Sequence, residues 1–269
     1  MKLINGQPTL QVDASDRGLQ FGDGCFTTAQ IVQGKVIRPE AHLQRLQEGC
    51  QRLAIAFDKW AVLAEEMAAV ATGQQRAVLK VVISRGSGGR GYSTEGCDQP
   101  LRIVSTAGYP AHYDRLRVEG IRLLTCPIML GVNPALAGIK HLNRLEQVLI
   151  RRFIDDKGAD EALVLDHQQR VVECCSANIF WRKGEQWLTP RVDEAGVDGT
   201  MRRYLIRLLA EWGYPCRQVF AGHQELLSAD EVFICNALMP VIPVTAIDDS
   251  SFPCGELTQQ LIRHCTTSG

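Results

Sequence analysis

The sequence predicts a mixed α/β (α+β) chain folded as two domains. Three observations carry that expectation. Short apolar runs bounded by turn residues recur along the chain, and amphipathic helical patterns lie between them. A length of 269 residues allows two modest domains, each with its own core. A polar stretch over 111–120 interrupts the pattern near the middle. The expected partition is a small N-terminal α/β domain at 1–112, a linker at 113–120 and a larger C-terminal α/β domain at 121–269.

Composition narrows the function classes. Apolar residues make up 45% and charged residues 22%, and the formal net charge is −1. No global field therefore draws the chain to nucleic acid or to an anionic membrane surface. The opening residues Met1 to Gly6 lack the apolar core of a signal peptide, and no later run is long enough to span a bilayer. The ten cysteines show neither zinc-ligand spacing nor a Cys-x-x-Cys pair. A cytoplasmic protein with reduced thiols and no metal site is the expectation.

In chain order, Leu3 to Gln7 reads as a strand ending in an Asn5-Gly6 turn. The span Asp16 to Thr28 holds three glycines and two aspartates, which suggests tight backbone geometry with Phe21 and Phe26 as walls. It is not a phosphate loop, because a strand (Thr28 to Val32) follows it rather than a helix. Gln33-Gly34 closes another hairpin. Pro39 and Glu40 open a helix whose buried stripe is Leu43, Leu46, Cys50 and Leu53, with His42 and Arg45 on another face. A second helix covers about Asp58 to Thr72. Ala77 to Ser84 is a strand dense enough in apolar residues to be central, and it runs into a glycine-rich loop, Arg85 to Tyr92. Arginine forks in such a loop suit a carboxylate. Arg102 to Tyr109 is a further strand.

Beyond the linker, Ile121 to Thr125 reads as a strand, and Lys140 lies where a loop meets a helix with the apolar pattern Leu142, Leu145, Leu149, Phe153. A lysine flanked by small and apolar residues loses part of its solvation and becomes a usable amine nucleophile. Two hairpins follow, one around the His167 turn and one around Lys183-Gly184. The first contains Glu173, an acid in an apolar strand that needs a partner if buried. Asp198 is the expected N-cap of a helix beginning Gly199-Thr200-Met201, whose first amides form a phosphate seat. Glu231 to Cys235 is a strand ending in a second anion-facing turn, Asn236 to Pro240. Val241 to Ile247 returns as a strand, and Glu256 to Cys265 closes the chain as a helix.

A reactive lysine, phosphate donors and a buried acid together match what pyridoxal phosphate requires. Their order along the chain resembles the fold-type IV family of pyridoxal phosphate enzymes. That order is Phe21-Gly22-Asp23-Gly24, then His42-x-x-Arg45-Leu46, then Lys140, then Glu173-x-x-x-x-Asn178. The family comprises D-amino acid and branched-chain aminotransferases and aminodeoxychorismate lyases, and the resemblance covers essentially the whole chain. Phe21 to Thr28, Ser84 to Tyr92, Leu136 to Gln147 and Glu173 to Trp181 look most like the lyase branch. Phe26 is followed by Thr27-Thr28 where the aminotransferases carry an acid, which also favours that branch.

The resemblance implies a two-domain architecture with the cofactor in the interdomain cleft, and a homodimer. It implies Lys140 as the Schiff-base and proton-transfer lysine, Arg45 as the phosphate arginine, Glu173 beside the pyridine nitrogen and Asn178 supporting the cofactor. Thr200 and Met201 fall at the first phosphate turn, and Asn236 and Ala237 at the second, where either the backbone or the Asn236 amide must serve. Arg90 and Tyr92 align with a loop that holds a substrate carboxylate, and Tyr109 is a further substrate-side residue. The implied reaction converts 4-amino-4-deoxychorismate to 4-aminobenzoate and pyruvate, a step toward folate. The alternatives are a D-amino acid or branched-chain aminotransferase on the same scaffold, or a non-catalytic cofactor-binding protein.

Overall fold

The computed structural model describes residues 1–267 and divides the chain into two compact units. The first comprises Met1–Pro110 together with Ile139–Asn143, and the second Ala111–Gly138 with the residues from Arg144 onward.

The first unit contains β1 (Lys2–Ile4), α1 (Arg17–Phe21), β2 (Gly24–Val32), β3 (Lys35–Val36), α2 (Pro39–Arg52), α3 (Trp60–Ala71), β4 (Arg76–Ser84) and β5 (Leu101–Gly108). Its five strands pair antiparallel in the order β1-β5-β4-β2-β3. Alternation along β2 and β4 separates the two faces of this sheet. Cys25, Ala29, Ile31, Leu79, Val81 and Ile83 are buried and pack with Leu46 of α2 and Leu63, Met67 and Val70 of α3. The opposite face keeps Phe26, Thr28 and Val82 half-buried and Lys80 exposed. Pro39 at the helix start and Glu40 in the first turn suit the N-terminal end of α2.

The second unit contains α4 (His112–Glu119), β6 (Ile121–Thr125), α5 (Leu145–Lys157), β7 (Glu161–Leu165), β8 (Val171–Cys174), β9 (Asn178–Lys183), β10 (Gln186–Pro190), α6 (Thr200–Glu211), β11 (Cys216–Val219), α7 (His223–Leu227), β12 (Glu231–Cys235), β13 (Ile242–Ile247), β14 (Ser250–Ser251) and α8 (Glu256–Thr267). Eight strands run in the order β11-β10-β9-β12-β13-β6-β7-β8, with β14 on β13. The pairs β10/β11, β13/β6 and β6/β7 are parallel and the rest antiparallel. Both faces of this sheet are covered. On β12, Val232 and Ile234 join one core cluster, while Phe233 and Cys235 join another with Leu205, Leu208 and Leu209 of α6 and Leu261 of α8. A strand covered on both sides reads as a continuous apolar run, as this one does.

Several sequence expectations change. The segment expected as a linker is most of α4, because Tyr113 and Leu116, one helical turn apart, pack into the core of the second unit. Residues 139–143 group with the first unit rather than the C-terminal one. The helix after Lys140 begins at Leu145, not Leu142, and its buried stripe is Ile150 and Ile154. Leu145 and Leu149 are 72% and 44% exposed. The start is late because the backbone at 140 and 142 bonds to β2 instead. No helix among the described residues is long and apolar enough to cross a membrane. All ten cysteines are free.

Candidate active site

In the first unit, residues 140–142 run beside the start of β2. The Phe26 N–H donates to the Lys140 carbonyl at 2.9 Å, and the Leu142 N–H donates to the Gly24 carbonyl at 3.0 Å. Gly24 is required by this approach: a Cβ there would lie 2.3 Å from the Ile83 carbonyl oxygen and 2.8 Å from Leu142 Cδ1. Lys140 is therefore fixed at both flanks, and its Nζ lies 4.9 Å from the Phe26 ring centroid.

On α2, His42 and Arg45 share a face and both are buried. His42 Nδ1 and Thr27 Oγ1 are hydrogen-bonded at 2.7 Å inside the protein, which ties α2 to β2 one residue from Phe26. Burial, with the Arg45 and Arg38 cations nearby, pulls the His42 imidazole down to about 3. Neutral His42 thus adds no positive charge beside Arg45, leaving the guanidinium as the anion-attracting group. The His42–Thr27 bond was not foreseen; the shared face of His42 and Arg45 was the signal available.

The glycine-rich loop leaves the sheet at Ser84, opposite Gly24 and so at the Lys140 end. Arg17 holds it, donating to the carbonyls of Gly91 at 3.0 Å and Tyr92 at 3.4 Å. Asp23 accepts from Arg17 Nε at 3.0 Å and from Arg85 Nε at 2.7 Å, while Arg85 also donates to the carbonyls of Leu53 and Ala54. Burial would raise the Asp23 carboxyl, but the Arg85 and Arg17 hydrogen bonds hold it below its ordinary value. Arg90 is exposed, and Tyr92 is 87% exposed with its ring 5.5 Å from that of Phe21. Sequence reasoning chose Arg90 and Tyr92 but missed the Arg17–Asp23–Arg85 cluster beneath them. Tyr109 does not join this group. It follows Gly108, which pairs with Ala77 at the far end of β4, about 20 Å along the strands from Phe26. Its ring stacks on the Arg76 guanidinium at 3.7 Å.

In the second unit, Glu173 is 5% exposed, and its Oε2 accepts from the Val197 N–H at 2.8 Å. Asn178 Nδ2 donates to the Val197 carbonyl at 2.8 Å. The two predicted residues thus grip Val197 through its N–H and its carbonyl, in the loop that leads into α6. Gly199 allows this, since a Cβ there would lie 2.0 Å from Asn178 Oδ1. Gly138, two residues before Lys140, pairs with the same loop: its N–H donates to the Gly196 carbonyl, and its carbonyl accepts from the Asp198 N–H.

Gly199, not Asp198, is the N-cap of α6, and no side chain caps this helix. The Asp198 carboxylate instead takes Arg202 at 2.8 Å and Arg203 at 2.7 Å. Thr200 and Met201 open a 12-residue helix whose first amides are aimed along its axis, an arrangement that favours an anion. Arg144, missed from sequence, lies near Glu173. Burial pulls its guanidinium below the ordinary value, and the Glu173 and Glu146 charges oppose that.

The Asn236 turn is more constrained than expected. Asn236 Oδ1 accepts from the Leu238 and Met239 N–H groups, both at 2.8 Å, and its Nδ2 donates to the Ser176 carbonyl at 3.0 Å. The Asn236 amide therefore builds the turn, which leaves the backbone at Ala237 as the group there that could face an anion. Ser176 is itself held by Glu161, 3% exposed, which accepts from Ser176 Oγ at 2.6 Å and from the Cys175 and Ser176 N–H groups. Glu161, Ser176 and Asn236 thus join the turn after Glu173 to the turn after β12. Sequence reading passed over Glu161, although an acid opening the buried strand Ala162–Leu165 gave the same signal as Glu173.

Comparison with known proteins agrees with this architecture. The amino-transferase class IV family matches residues 24–247. Aminodeoxychorismate lyase of Vibrio harveyi is 38% identical over 262 residues, covering 96% of this chain and 97% of its own. The crystal structure of 4-amino-4-deoxychorismate lyase from Pseudomonas aeruginosa superposes with a TM-score of 0.95 at 38% identity, covering 99% of this chain and 98% of its own. A hypothetical aminotransferase from Mycobacterium tuberculosis, in a PLP-bound form, shares the fold at TM-score 0.84 and 20% identity, covering 97% of this chain and 94% of its own. The match across most of its length places the chain in the amino-transferase class IV family.

Proposed function

We propose that this chain is a pyridoxal phosphate-dependent lyase that converts 4-amino-4-deoxychorismate to 4-aminobenzoate and pyruvate. The observation that carries the reading is the 38% identity to the Vibrio harveyi lyase over nearly the full length of both chains. The donor set fits the cofactor. It offers a lysine amine, a buried arginine, a buried carboxylate held by a backbone N–H, and the first turn of a helix without a side-chain cap.

Lys140 Nζ would hold the cofactor, Arg45 and the amides at Thr200, Met201 and Ala237 its phosphate, and Glu173 the proton on its ring nitrogen, with Asn178 fixing the loop between. Bound pyridoxal phosphate supplies an electron sink for bond breaking next to the substrate amine. The Lys140 amine would take the proton from C4. The C3–O bond then breaks, enolpyruvate departs with the bonding electrons, and Lys140 delivers the proton to its methylene to give pyruvate. The ring left behind is aromatic, which drives the step. Arg90 and Tyr92 hold the enolpyruvyl carboxylate. A homodimer belongs to the same proposal, supported by the exposed apolar row Leu145, Val148 and Leu149 on α5.

The aminotransferase reading is favoured by the amino-transferase class IV family match, since one scaffold can host either chemistry. Incubation with aminodeoxychorismate and no keto acid separates the two. A lyase makes pyruvate and 4-aminobenzoate in equal amounts over many turnovers, whereas an aminotransferase stalls after one.

A further inference from the structure

The glycine-rich loop has a fixed shape. Gly86, Gly88, Gly89 and Gly91 all have positive φ. A Cβ at Gly86 would lie 2.0 Å from the Gln99 carbonyl oxygen, and one at Gly89 would lie 2.1 Å from the Ser93 carbonyl oxygen. At both places the chain folds back on itself as only glycine permits. Arg17 grips this shape at its two ends. Its backbone N–H donates to the Gly86 carbonyl at 2.9 Å, where the loop begins. Its guanidinium reaches the carbonyls of Gly91, through Nη1 at 3.0 Å, and of Tyr92, through Nη2 at 3.4 Å. The same guanidinium lies 4.8 Å from the Phe21 ring centroid, and Phe21 is the ring neighbour of Tyr92. Two residues earlier, Ser15 Oγ donates to Ser87 Oγ at 2.9 Å.

The Arg17 side chain is 5% exposed, and a guanidinium buried to that degree needs its donors met. Asp23 meets the Nε donor alone, and the loop carbonyls meet the other two nitrogens. Asp23 cannot serve Arg17 further, because Arg85 donates to both of its oxygens. Arg17 is therefore satisfied only while the loop keeps its shape, so the burial of this side chain and the order of the loop are coupled. Arg85 has a different task, since its remaining donors go to the Leu53 and Ala54 carbonyls after α2. Arg90, which is exposed, lies between the anchored carbonyls of Gly86 and Gly91. We propose, resting on the lyase reading, that Arg17 is a positioning residue for substrate binding. It holds the loop so that Arg90 and Tyr92 meet the substrate carboxylate with the loop's conformational entropy already lost. Arg17 acts through those two residues and makes no contact of its own with the substrate.

The test uses cofactor-loaded wild type, Arg17→Met and Arg17→Lys. Methionine keeps an apolar stem without donors, whereas lysine keeps a cation for Asp23 but loses the fork that spans two carbonyls. Arg17→Met should raise KM for aminodeoxychorismate by about tenfold or more, the worth of one charge-assisted contact. Its kcat should stay close to wild type, because binding common to ground and transition states is what the loop supplies. Arg17→Lys should raise KM in the same direction by a smaller factor. Hydrogen exchange across residues 87–92 should quicken in both variants, while cofactor affinity and the visible cofactor band stay unchanged. An unchanged KM, or unchanged exchange across 87–92, overturns the proposal. A loss confined to kcat or to cofactor affinity also overturns it and makes Arg17 a support for the core beneath Lys140. Should Arg17→Met fail to fold, the KM and exchange of Arg17→Lys decide. If wild type forms no pyruvate from aminodeoxychorismate, the lyase reading itself has failed and the assignment falls with it.

Discussion

The two sheets of this protein bury their side chains in different ways. The five-stranded sheet packs α2 and α3 against one face and leaves the other half-exposed, with Phe26 and Lys80 on it and Lys140 Nζ over the Phe26 ring. The larger sheet is covered on both faces, and its strands are apolar throughout β12. In the first unit, chemistry-bearing groups can therefore sit on a strand face. The second unit has no open face to spare along β9 and β12, so Glu173, Asn178, Thr200 and Asn236 gather at strand ends, helix starts and the turns between them. An open face tolerates substitution of a side chain, whereas a site built from turns depends on the hydrogen bonds that shape those turns.

Lys140→Ala removes the amine that moves the proton and should cut turnover by about 10³-fold or more, with the urea midpoint little changed because the backbone bonds that hold the segment remain. Glu173→Gln keeps an oxygen to accept from Val197, so the fold should hold while kcat falls on the order of 10²-fold. A large drop in melting temperature would show that this carboxylate is structural instead. Arg45→Ala should weaken cofactor binding roughly 10- to 100-fold, measured by fluorescence titration of the apoprotein, through loss of charge-assisted bonds to phosphate.

Asn236→Ala should behave unlike the first-unit variants, since three hydrogen bonds that shape a turn disappear together. A stability loss of about 1–3 kcal/mol in urea, with weaker cofactor binding, is expected. The effect that is smallest near neutral pH concerns His42. Its folded pKa of about 3 lies below the usual histidine value, so the unfolded chain binds the extra proton between those pH values. The stability it contributes is present above about pH 6.5 and is lost as pH falls toward 3, at up to about 1.4 kcal/mol per pH unit. His42→Gln should flatten that part of the stability–pH curve.

Much of this was legible in the sequence. Strands such as Ala77 to Ser84 and the helix opening at Pro39 follow from apolar period and cap chemistry. Lys140, Arg45, Glu173 and Asn178 stood out by residue type and order. Long-range pairing was not legible. Nothing in residues 111–120 announced that Tyr113 and Leu116 would find a sheet to pack on, and a polar helix reads like a linker until its neighbours are known. The pattern beginning at Leu142 counted a residue whose N–H is taken by Gly24, so the helix was expected one turn early. Asn236 was offered at a phosphate turn through either its backbone or its side-chain amide; its partners Ser176, Leu238 and Met239 engage the side chain in shaping the turn. Glu161 and the Arg17–Asp23–Arg85 cluster depend on contacts between segments distant in sequence, which no local pattern encodes.

The central claim is that Lys140 carries the cofactor, and borohydride reduction of the pyridoxal phosphate-loaded protein tests it most directly. Reduction fixes the cofactor to whichever amine holds it, and peptide mass spectrometry then reads the position. The expected result is one pyridoxyl group per chain on Lys140, with Lys80 unmodified. A label on Lys80 or on any other lysine, or no stoichiometric label at all, would contradict the account.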